Sequence, residues 1–303
     1  MQRALDRLLS LQVGDQGVLD VVAVGSGAIP ALRRLLFARD PSGLFQARCR
    51  VVAALAALEA RDVLLAFLQA PHACADAVEA AGEDAVINAA ARALGDVRDE
   101  SVFQVLLSLA DRHSLPGPVE VLGGWRRPEA LPCLVWALAD DLARPAAEAA
   151  LRQYGDQAFS TLTRAIDDPV CVAGDETESS RRRRRAAITL LLDQDAAGRV
   201  PDVLRVDLMQ DEDAALSVLG CRLALAAGSP REDEAAARRL VDWLGQANWF
   251  LRAEIEDILV AHADRCKAVI AEHADGPPPR DDDQSRDAVA LRALRRVAAR
   301  FGP

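Results

Sequence analysis

The chain has 303 residues, of which 51% are hydrophobic, 27% are charged and 4% are aromatic. Its 36 basic and 46 acidic side chains leave a formal net charge of −10. This composition excludes a collagen-like chain and wholesale disorder, because the apolar residues suffice for a core and glycine and proline are few. Alanine, leucine and arginine are abundant, and all three favour helices.

The first residues, MQRALDRLLSLQVGDQG, predict an amphipathic helix and not a signal peptide, because Arg3, Asp6 and Arg7 interrupt the apolar stretch. No apolar run along the chain reaches the ~18 residues that a membrane-spanning helix needs. The six cysteines are scattered and form no C-x-x-C pair. We therefore expect a reduced protein in the cytoplasm.

A repeated pattern follows along the chain. Residues 93–111, 121–141 and 150–168 share the end of an apolar helix, a short turn with glycine or charge, a second apolar helix and an acid-rich turn. Residues 21–40 match this pattern more loosely. Apolar residues at helical spacing predict that each copy is one helical hairpin.

A leading apolar residue sets the register of the repeat. It recurs as Val21, Leu55, Leu94, Leu122, Leu151, Leu191 and Leu259. These positions are 34, 39, 28, 29, 40 and 68 residues apart, and a degenerate copy near Leu223–Leu225 fits the last interval. The pattern predicts about eight hairpins that stack as an all-α, right-handed α-solenoid with a shared core and no sheet.

Three segments break the period. Residues 70–84 predict a loop or a weak extra helix, and residues 169–180 separate the fifth and sixth hairpins. Residues 275–286 are rich in proline and aspartate and predict a mobile linker. We therefore expect a solenoid over 1–274, a linker over 275–286 and a capping helix within 287–303.

Two more positions recur with the leading residue. A trailing glycine follows it at Gly25 and Gly155. An arginine precedes it by seven residues as Arg48, Arg144, Arg184 and Arg252, but Ile87 and Leu115 depart from this pattern. With second helices such as AIPALRRLL and EALPCLVWAL, the chain resembles HEAT-type repeats of the bilin-lyase-like variety. The resemblance implies that second helices line a concave face, and it favours a scaffold role.

One column of the second helices predicts a partner-binding strip. This column lies outside the core positions of the repeat pattern. It contains Arg34, Trp136 and Arg164, together with Leu107. Arginine and tryptophan are common anchors of protein interfaces, so we expect the three to contact a partner. The alternative is that Trp136 packs against the neighbouring repeat.

The run Arg181–Arg185 is the most basic stretch of the chain. Five cations at a helix start oppose the helix dipole, so the run is a candidate site for an anion or an acidic partner, with Arg181, Arg182 and Arg183 as contacts. The alternative is a helix start with a serine cap and solvated arginines, neutralised by the preceding acids. We attribute the excess of 35 arginines over one lysine, Lys267, to coding composition.

The other aromatic residues are predicted to lie in the core. Trp125 and Tyr154 share the buried apolar column of the repeat. Trp249 and Phe250, with Trp243 one turn earlier, are expected in the core of the last hairpin. If they were exposed instead, they would form an apolar patch at the carboxyl end.

The sequence offers little for catalysis or metal binding. His262, Cys266 and His273 are zinc-ligand types at spacings i, i+4 and i+11, but the repeat places a helix–helix turn near Ala263–Asp264, which breaks their alignment. The chain has no G-x-S-x-G, P-loop, G-x-G-x-x-G or H-E-x-x-H motif. We expect no metal, no cofactor and no catalytic residue.

The leading functional hypothesis is a non-catalytic scaffold that binds another protein, through an acidic segment, along the concave face. An accessory or immunity-type role in a bacterial multi-protein system belongs to the same class. One alternative is nucleic-acid binding, as in the HEAT-like DNA glycosylases, against which the net charge of −10 argues. Another is an enzyme that resembles the bilin lyases, although no feature marks a tetrapyrrole pocket.

Overall fold

A computed structural model describes residues 1–10, 14–40, 42, 44–74, 76–112, 115–275, 283 and 285–300. The described chain is all-helical except for one short hairpin of strands, which confirms the predicted all-α class. Its contacts divide it into two compact units, Met1–Tyr154 and Gly155–Pro303. We call them the amino-terminal unit and the carboxy-terminal unit.

The described residues of the amino-terminal unit form α-helices of 7 to 17 residues. They are α1 (Gln2–Leu9), α2 (Gln16–Val22), α3 (Ile29–Leu36), α4 (Gln46–Ala57), α5 (Arg61–Gln69), α6 (Ala77–Ala93), α7 (Glu100–Arg112), α8 (Pro116–Trp125), α9 (Leu131–Ala137) and α10 (Arg144–Tyr154). Short 3-10 turns, Ser26–Ala28 and Pro128–Ala130, lead into α3 and α9. Proline lies in the first turn of α3, α8 and α9, where its missing N–H is tolerated.

Alternate helices of this unit form two layers. Helices α2, α4, α6, α8 and α10 contact one another in that order and form the first-helix layer. Helices α5, α7 and α9 contact one another in the same way, and α3 lines a groove together with α5. We call α3, α5, α7 and α9 the second-helix layer. Helix α3 buries one face, with Ala31, Leu32 and Leu36, whereas α8 is buried nearly all round because it contacts α6, α7, α9 and α10.

The predicted leading column forms the core of both units. All seven leading residues, from Val21 to Leu259, have a relative exposure of 0%. Leu223 and Leu225 of the degenerate copy are also fully buried. The predicted spacing of buried apolar residues is therefore confirmed.

The residue four places after the leading residue turns the chain out of the first helix. At five copies this residue has a left-handed backbone, with φ between 53° and 78°: Gly25, Glu59, Arg126, Gly155 and Asp195. This conformation ends a helix and satisfies its last carbonyls. The predicted trailing glycine is thus one form of a shared turn in which other residues also occur.

The recurring arginine closes the end of the preceding helix. Its guanidinium donates to a carbonyl at the end of α3, α9, α11 (Phe159–Asp167) or α15 (Pro230–Leu244). The pairs are Arg48 with Leu36 O (2.8 and 3.1 Å), Arg144 with Leu138 O (3.2 Å), Arg184 with Ile166 O (3.0 Å) and Arg252 with Leu244 O (3.1 Å). These carbonyls have no partner within their own helix, so the arginine ties each hairpin to the one before it.

The remaining helices belong to the carboxy-terminal unit. Besides α11 and α15 they are α12 (Glu178–Asp193), α13 (Asp202–Met209), α14 (Ala214–Ala227), α16 (Trp249–Ala261), α17 (Ala263–Ala274) and α18 (Arg286–Arg300). Helices α12, α14, α16 and α18 contact one another in that order, as do α13, α15 and α17.

The predicted last helix is present as α18. It packs against α15, α16 and α17, and it buries Leu294 and Val297, as its apolar face predicts. Most of the predicted linker over 275–286, and Phe301 of the predicted face, lie outside the described residues.

The expectation of no sheet is wrong. Strands β1 (Cys171–Val172) and β2 (Asp175–Glu176) pair antiparallel within the segment that separates α11 from α12. Ala173 and Gly174 between them both have positive φ, 55° and 95°, as in the two-residue turns that suit hairpins. Two-residue strands show no alternation in a sequence, and the turn lacks the usual Asn-Gly or Asp-Gly signal.

The segment 70–84 divides at Asp76. Residues from Ala77 onwards already belong to α6, whose start is capped by the Asp76 carboxylate at 2.9 Å from the backbone N–H of Val78 and of Glu79. Glu79 and Glu83 are buried, and they pair with Arg39 and Arg48. The extra length is therefore a longer first helix with buried ion pairs and not an additional helix.

Candidate protein-binding surface

The predicted contact residues Arg34, Trp136 and Arg164 are all exposed. Trp136 has 54% of its surface exposed, although Leu134 and Val135 beside it on α9 are buried. Arg34 lies on α3, separated from α9 by α5 and α7 of the second-helix layer. Arg164 lies on α11 of the other unit, so a single strip through all three residues stays a prediction.

Arg34 lines a groove between α3 and α5, which we call the α3–α5 groove. Its volume is about 550 Å³, and its walls are Ile29, Pro30, Arg33, Arg34, Phe37, Asp62 and Val63. Phe37 is held in place by the ring of Phe67, edge to face at 5.8 Å between centroids. The Arg33 guanidinium lies 5.7 Å from the Phe37 ring centroid, a cation–π distance. The groove thus combines two arginines with an anchored aromatic ring.

A second groove lies between α7 and α9 and has the opposite charge. Its volume is about 420 Å³, and its lining includes the carboxyl groups of Asp111 and Glu129. The Arg127 guanidinium, 3.1 Å from Glu129, holds the pKa of that carboxyl below its usual range. Trp136 lies one turn beyond Cys133 and Pro132, which line this α7–α9 groove. Sequence reasoning missed both grooves, because each is lined by residues far apart in the chain.

The run Arg181–Arg185 is largely engaged within the molecule. Arg184 pairs with Glu176 at 2.7 Å and with Asp211 at 2.9 Å, and Arg185 pairs with Glu178. These acids neutralise the cations that oppose the helix dipole.

The three arginines of this run that were predicted as partner contacts are less exposed than solvated surface side chains are. Arg181 and Arg182 are half-buried, and Arg181 lies 4.0 Å from Glu178. Arg183 is buried and donates to Asp168 O at 2.9 Å, and burial lowers the pKa of its guanidinium. The expected serine cap is wrong, since Thr177 caps α12. Partner contact by Arg181, Arg182 and Arg183 stays a prediction.

Trp125 and Tyr154 lie in the core, as predicted. The Trp125 indole donates to Gly95 O at 2.6 Å and stacks on Phe103, with 6.0 Å between ring centroids. The Tyr154 hydroxyl donates to Arg127 O at 2.9 Å, and burial raises the pKa of Tyr154 to about 12. Both polar tips bond to carbonyls of an earlier hairpin, so these residues also join neighbouring hairpins.

The prediction of a buried Trp249 and Phe250 is wrong. They are 66% and 67% exposed and stack on each other with 3.4 Å between ring centroids. Asn248 caps α16, so the two rings occupy its first turn, outside the face that buries Ile255. Trp243 is half-buried against the core and donates to the Ser217 hydroxyl at 3.0 Å.

The histidine and cysteine cluster of the carboxyl region is interrupted. Helix α16 ends at Ala261 and α17 begins at Ala263, so His262 lies between them and does not share a helix with Cys266 and His273. Burial lowers the pKa of His262 and raises the pKa of Cys266 to about 11. In the described part of the chain, no group of three or more potential metal ligands lies together.

Neither a protein-family model nor a curated protein matches the sequence. Among the residues that the structure describes, no helix has the length and apolar character to cross a bilayer.

Proposed function

We propose that the chain is a non-catalytic scaffold built from HEAT-type hairpins, which binds another protein through the second-helix layer, with Arg164 of α11 as a further contact. The observation that carries this proposal is Trp136. A tryptophan more than half exposed, on a helix that otherwise buries its large apolar residues, leaves apolar area open to water. Binding a partner there would remove that area from water, and tryptophan is one of the residue types enriched among interface anchors.

The grooves beside the second helices support a protein as the partner. They carry carboxylates as well as arginines: Asp62 in the α3–α5 groove, and Asp111 and Glu129 in the α7–α9 groove. A phosphate backbone needs a continuous cationic path, and carboxylates along that path would repel it. A protein segment with both charge types can match such a surface.

All six cysteines are free thiols, which supports the proposed location in a reducing compartment such as the cytoplasm. The accessory role in a bacterial multi-protein system is part of the same proposal, since such a role requires a partner and no chemistry.

The test is capture of the partner by paired variants. Tagged wild-type protein and a Trp136→Ala/Arg164→Ala variant are incubated with extract of the source cells, and captured proteins are quantified by mass spectrometry. We expect the double variant to lose at least about tenfold of the captured partner, because interface anchors carry most of the binding energy. Its melting temperature should stay close to that of the wild type, because both side chains are exposed.

The matched control is Leu19→Ala/Arg231→Ala. It removes an exposed apolar residue on α2 and an exposed arginine on α15, one from each unit and neither on α9 or α11. It should capture as much partner as the wild type does. If instead the two double variants capture equally, or if Trp136→Ala/Arg164→Ala melts far lower, the proposed surface is wrong.

A further inference from the structure

The arginines of this chain fall into two groups according to what they contact. Many are engaged inside the molecule, for example Arg48 and Arg252 on helix-end carbonyls and Arg205 on the buried carboxylate of Glu232. Arg33 and Arg34 differ from these. Both are exposed, and neither has a carboxylate or carbonyl partner among the described residues. Two adjacent guanidinium groups therefore remain available for an external anion.

The same groove offers an apolar wall beside these cations. Ile29, Pro30 and Val63 line it, together with the ring of Phe37. Because Phe67 packs against that ring edge to face, the ring is fixed before anything binds. A fixed apolar surface lowers the ordering entropy that a ligand must overcome.

Asp62 lies in the same groove and limits the kind of anion that fits. Its exposed carboxylate would repel a uniformly negative ligand such as a phosphodiester chain. A peptide avoids this repulsion, because it can place an apolar group or a backbone N–H near Asp62 while its carboxylates lie near the arginines. The charge pattern therefore matches a mixed acidic and apolar segment.

We infer that the α3–α5 groove binds an acidic peptide segment of the partner protein, in which carboxylates flank an apolar side chain. The carboxylates pair with Arg33 and Arg34, whose planar guanidinium groups can each donate two parallel N–H bonds to a carboxylate. The apolar side chain packs on Phe37 and Val63. This inference rests on the proposed function, since it names the chemistry of the partner.

The test is a titration with a defined peptide. The probe is fluorescein-labelled Gly-Asp-Glu-Leu-Asp-Phe-Glu-Gly, followed by fluorescence anisotropy with the full-length protein. We expect saturable binding that weakens when salt rises from about 50 mM to about 300 mM, because exposed ion pairs are screened. A probe in which Asn and Gln replace Asp and Glu should bind at least about tenfold more weakly, because it cannot form charge-assisted bonds.

Variants locate the binding in the groove. Arg33→Gln/Arg34→Gln should weaken binding of the acidic probe by at least about tenfold, which is the size expected for the loss of two charge-assisted contacts. The matched control Arg3→Gln/Arg231→Gln removes the same charge at exposed arginines outside the groove, and it should stay within about twofold of the wild type.

Three results would overturn the inference: no saturable binding, equal loss of binding in the two double variants, or stronger binding of a single-stranded oligonucleotide than of the acidic peptide.

The failure of this inference and the failure of the proposed function give different results. If the groove variant keeps full peptide binding while partner capture still depends on Trp136 and Arg164, the groove assignment fails alone. If peptide binding depends on Arg33 and Arg34 but partner capture is unchanged in Trp136→Ala/Arg164→Ala, the proposed contact residues are wrong and the groove assignment is kept.

Discussion

At the scale of single residues, the turn after each first helix shows what sequence patterns can and cannot reveal. The glycines at 25 and 155 form a recognisable column, because glycine adopts positive φ without strain. Glu59, Arg126 and Asp195 have the same backbone conformation, and nothing in their residue type indicates it. For residues with a Cβ this conformation costs about 1–2 kcal/mol, which the surrounding hairpin must offset.

This strain predicts a stabilising substitution. Asp195→Gly should raise the free energy of unfolding by about 0.5–1 kcal/mol, because it relieves strain but adds freedom to the unfolded chain. Gly155→Ala should lower it by about 1 kcal/mol, since a Cβ there meets no atom within 4 Å and only φ opposes it. Urea denaturation measures both effects. Gly198→Ala is the control, because Gly198 has neither positive φ nor a close neighbour, and a drop in stability for Asp195→Gly would contradict the account.

Buried thiols predict how stability depends on alkaline pH. Burial raises the pKa of Cys133 and Cys221 to about 12 and that of Cys266 to about 11. In the unfolded chain these thiols ionise near pH 9, so the unfolded state loses protons first, and stability should fall between about pH 9 and about pH 12. Cys49 and Tyr154, whose pKa values burial also raises, add to this fall, and the chain contains only one lysine.

Urea midpoints at about pH 8 and about pH 10.5 measure this slope. A Cys133→Ala/Cys221→Ala/Cys266→Ala variant should show a smaller fall over the same interval, even if it is less stable throughout. An unchanged slope in that variant would mean that the three thiols are not buried in the folded protein.

At the scale of elements, arginine joins successive hairpins. The guanidinium has several donors in a plane, so Arg48 can bond Leu36 O twice and still pair with Glu83. Lysine cannot make this set of bonds. The excess of arginine, which the sequence alone suggested was coding bias, therefore has a structural use in this fold.

A double-mutant cycle tests the buried pair of Arg48 and Glu83. Arg48→Met should lower the free energy of unfolding by about 3–5 kcal/mol, because it leaves a buried carboxylate without its cation. Adding Glu83→Leu should recover part of this loss, since both charges are then gone. Recovery stays partial because Leu36 O loses its donors. If the double variant loses as much free energy of unfolding as the two single variants lose in sum, Arg48 and Glu83 do not interact.

At the scale of the whole molecule, the sequence predicted the spacing of the buried apolar residues and missed the surface grooves. Burial repeats with the hairpin, so Leu55 and Leu94 can be aligned from the amino-acid pattern alone. The exposed Trp249 and Phe250 could not be placed, because an aromatic pair at a helix start fits the core pattern equally well. The α3–α5 groove joins residues from two separate hairpins, and only their packing reveals it.

Site-specific photo-crosslinking shows whether a partner protein lies on the second-helix layer. p-Benzoylphenylalanine is placed at Trp136 on α9 or, as the control, at Leu19 on α2 of the first-helix layer. Both positions are more than half exposed, at 54% and 62%. After irradiation in cells, position 136 should give a discrete crosslinked protein adduct and position 19 should give none. Adducts of equal yield at both positions, or at position 19 alone, would mean that the partner does not lie on the second-helix layer.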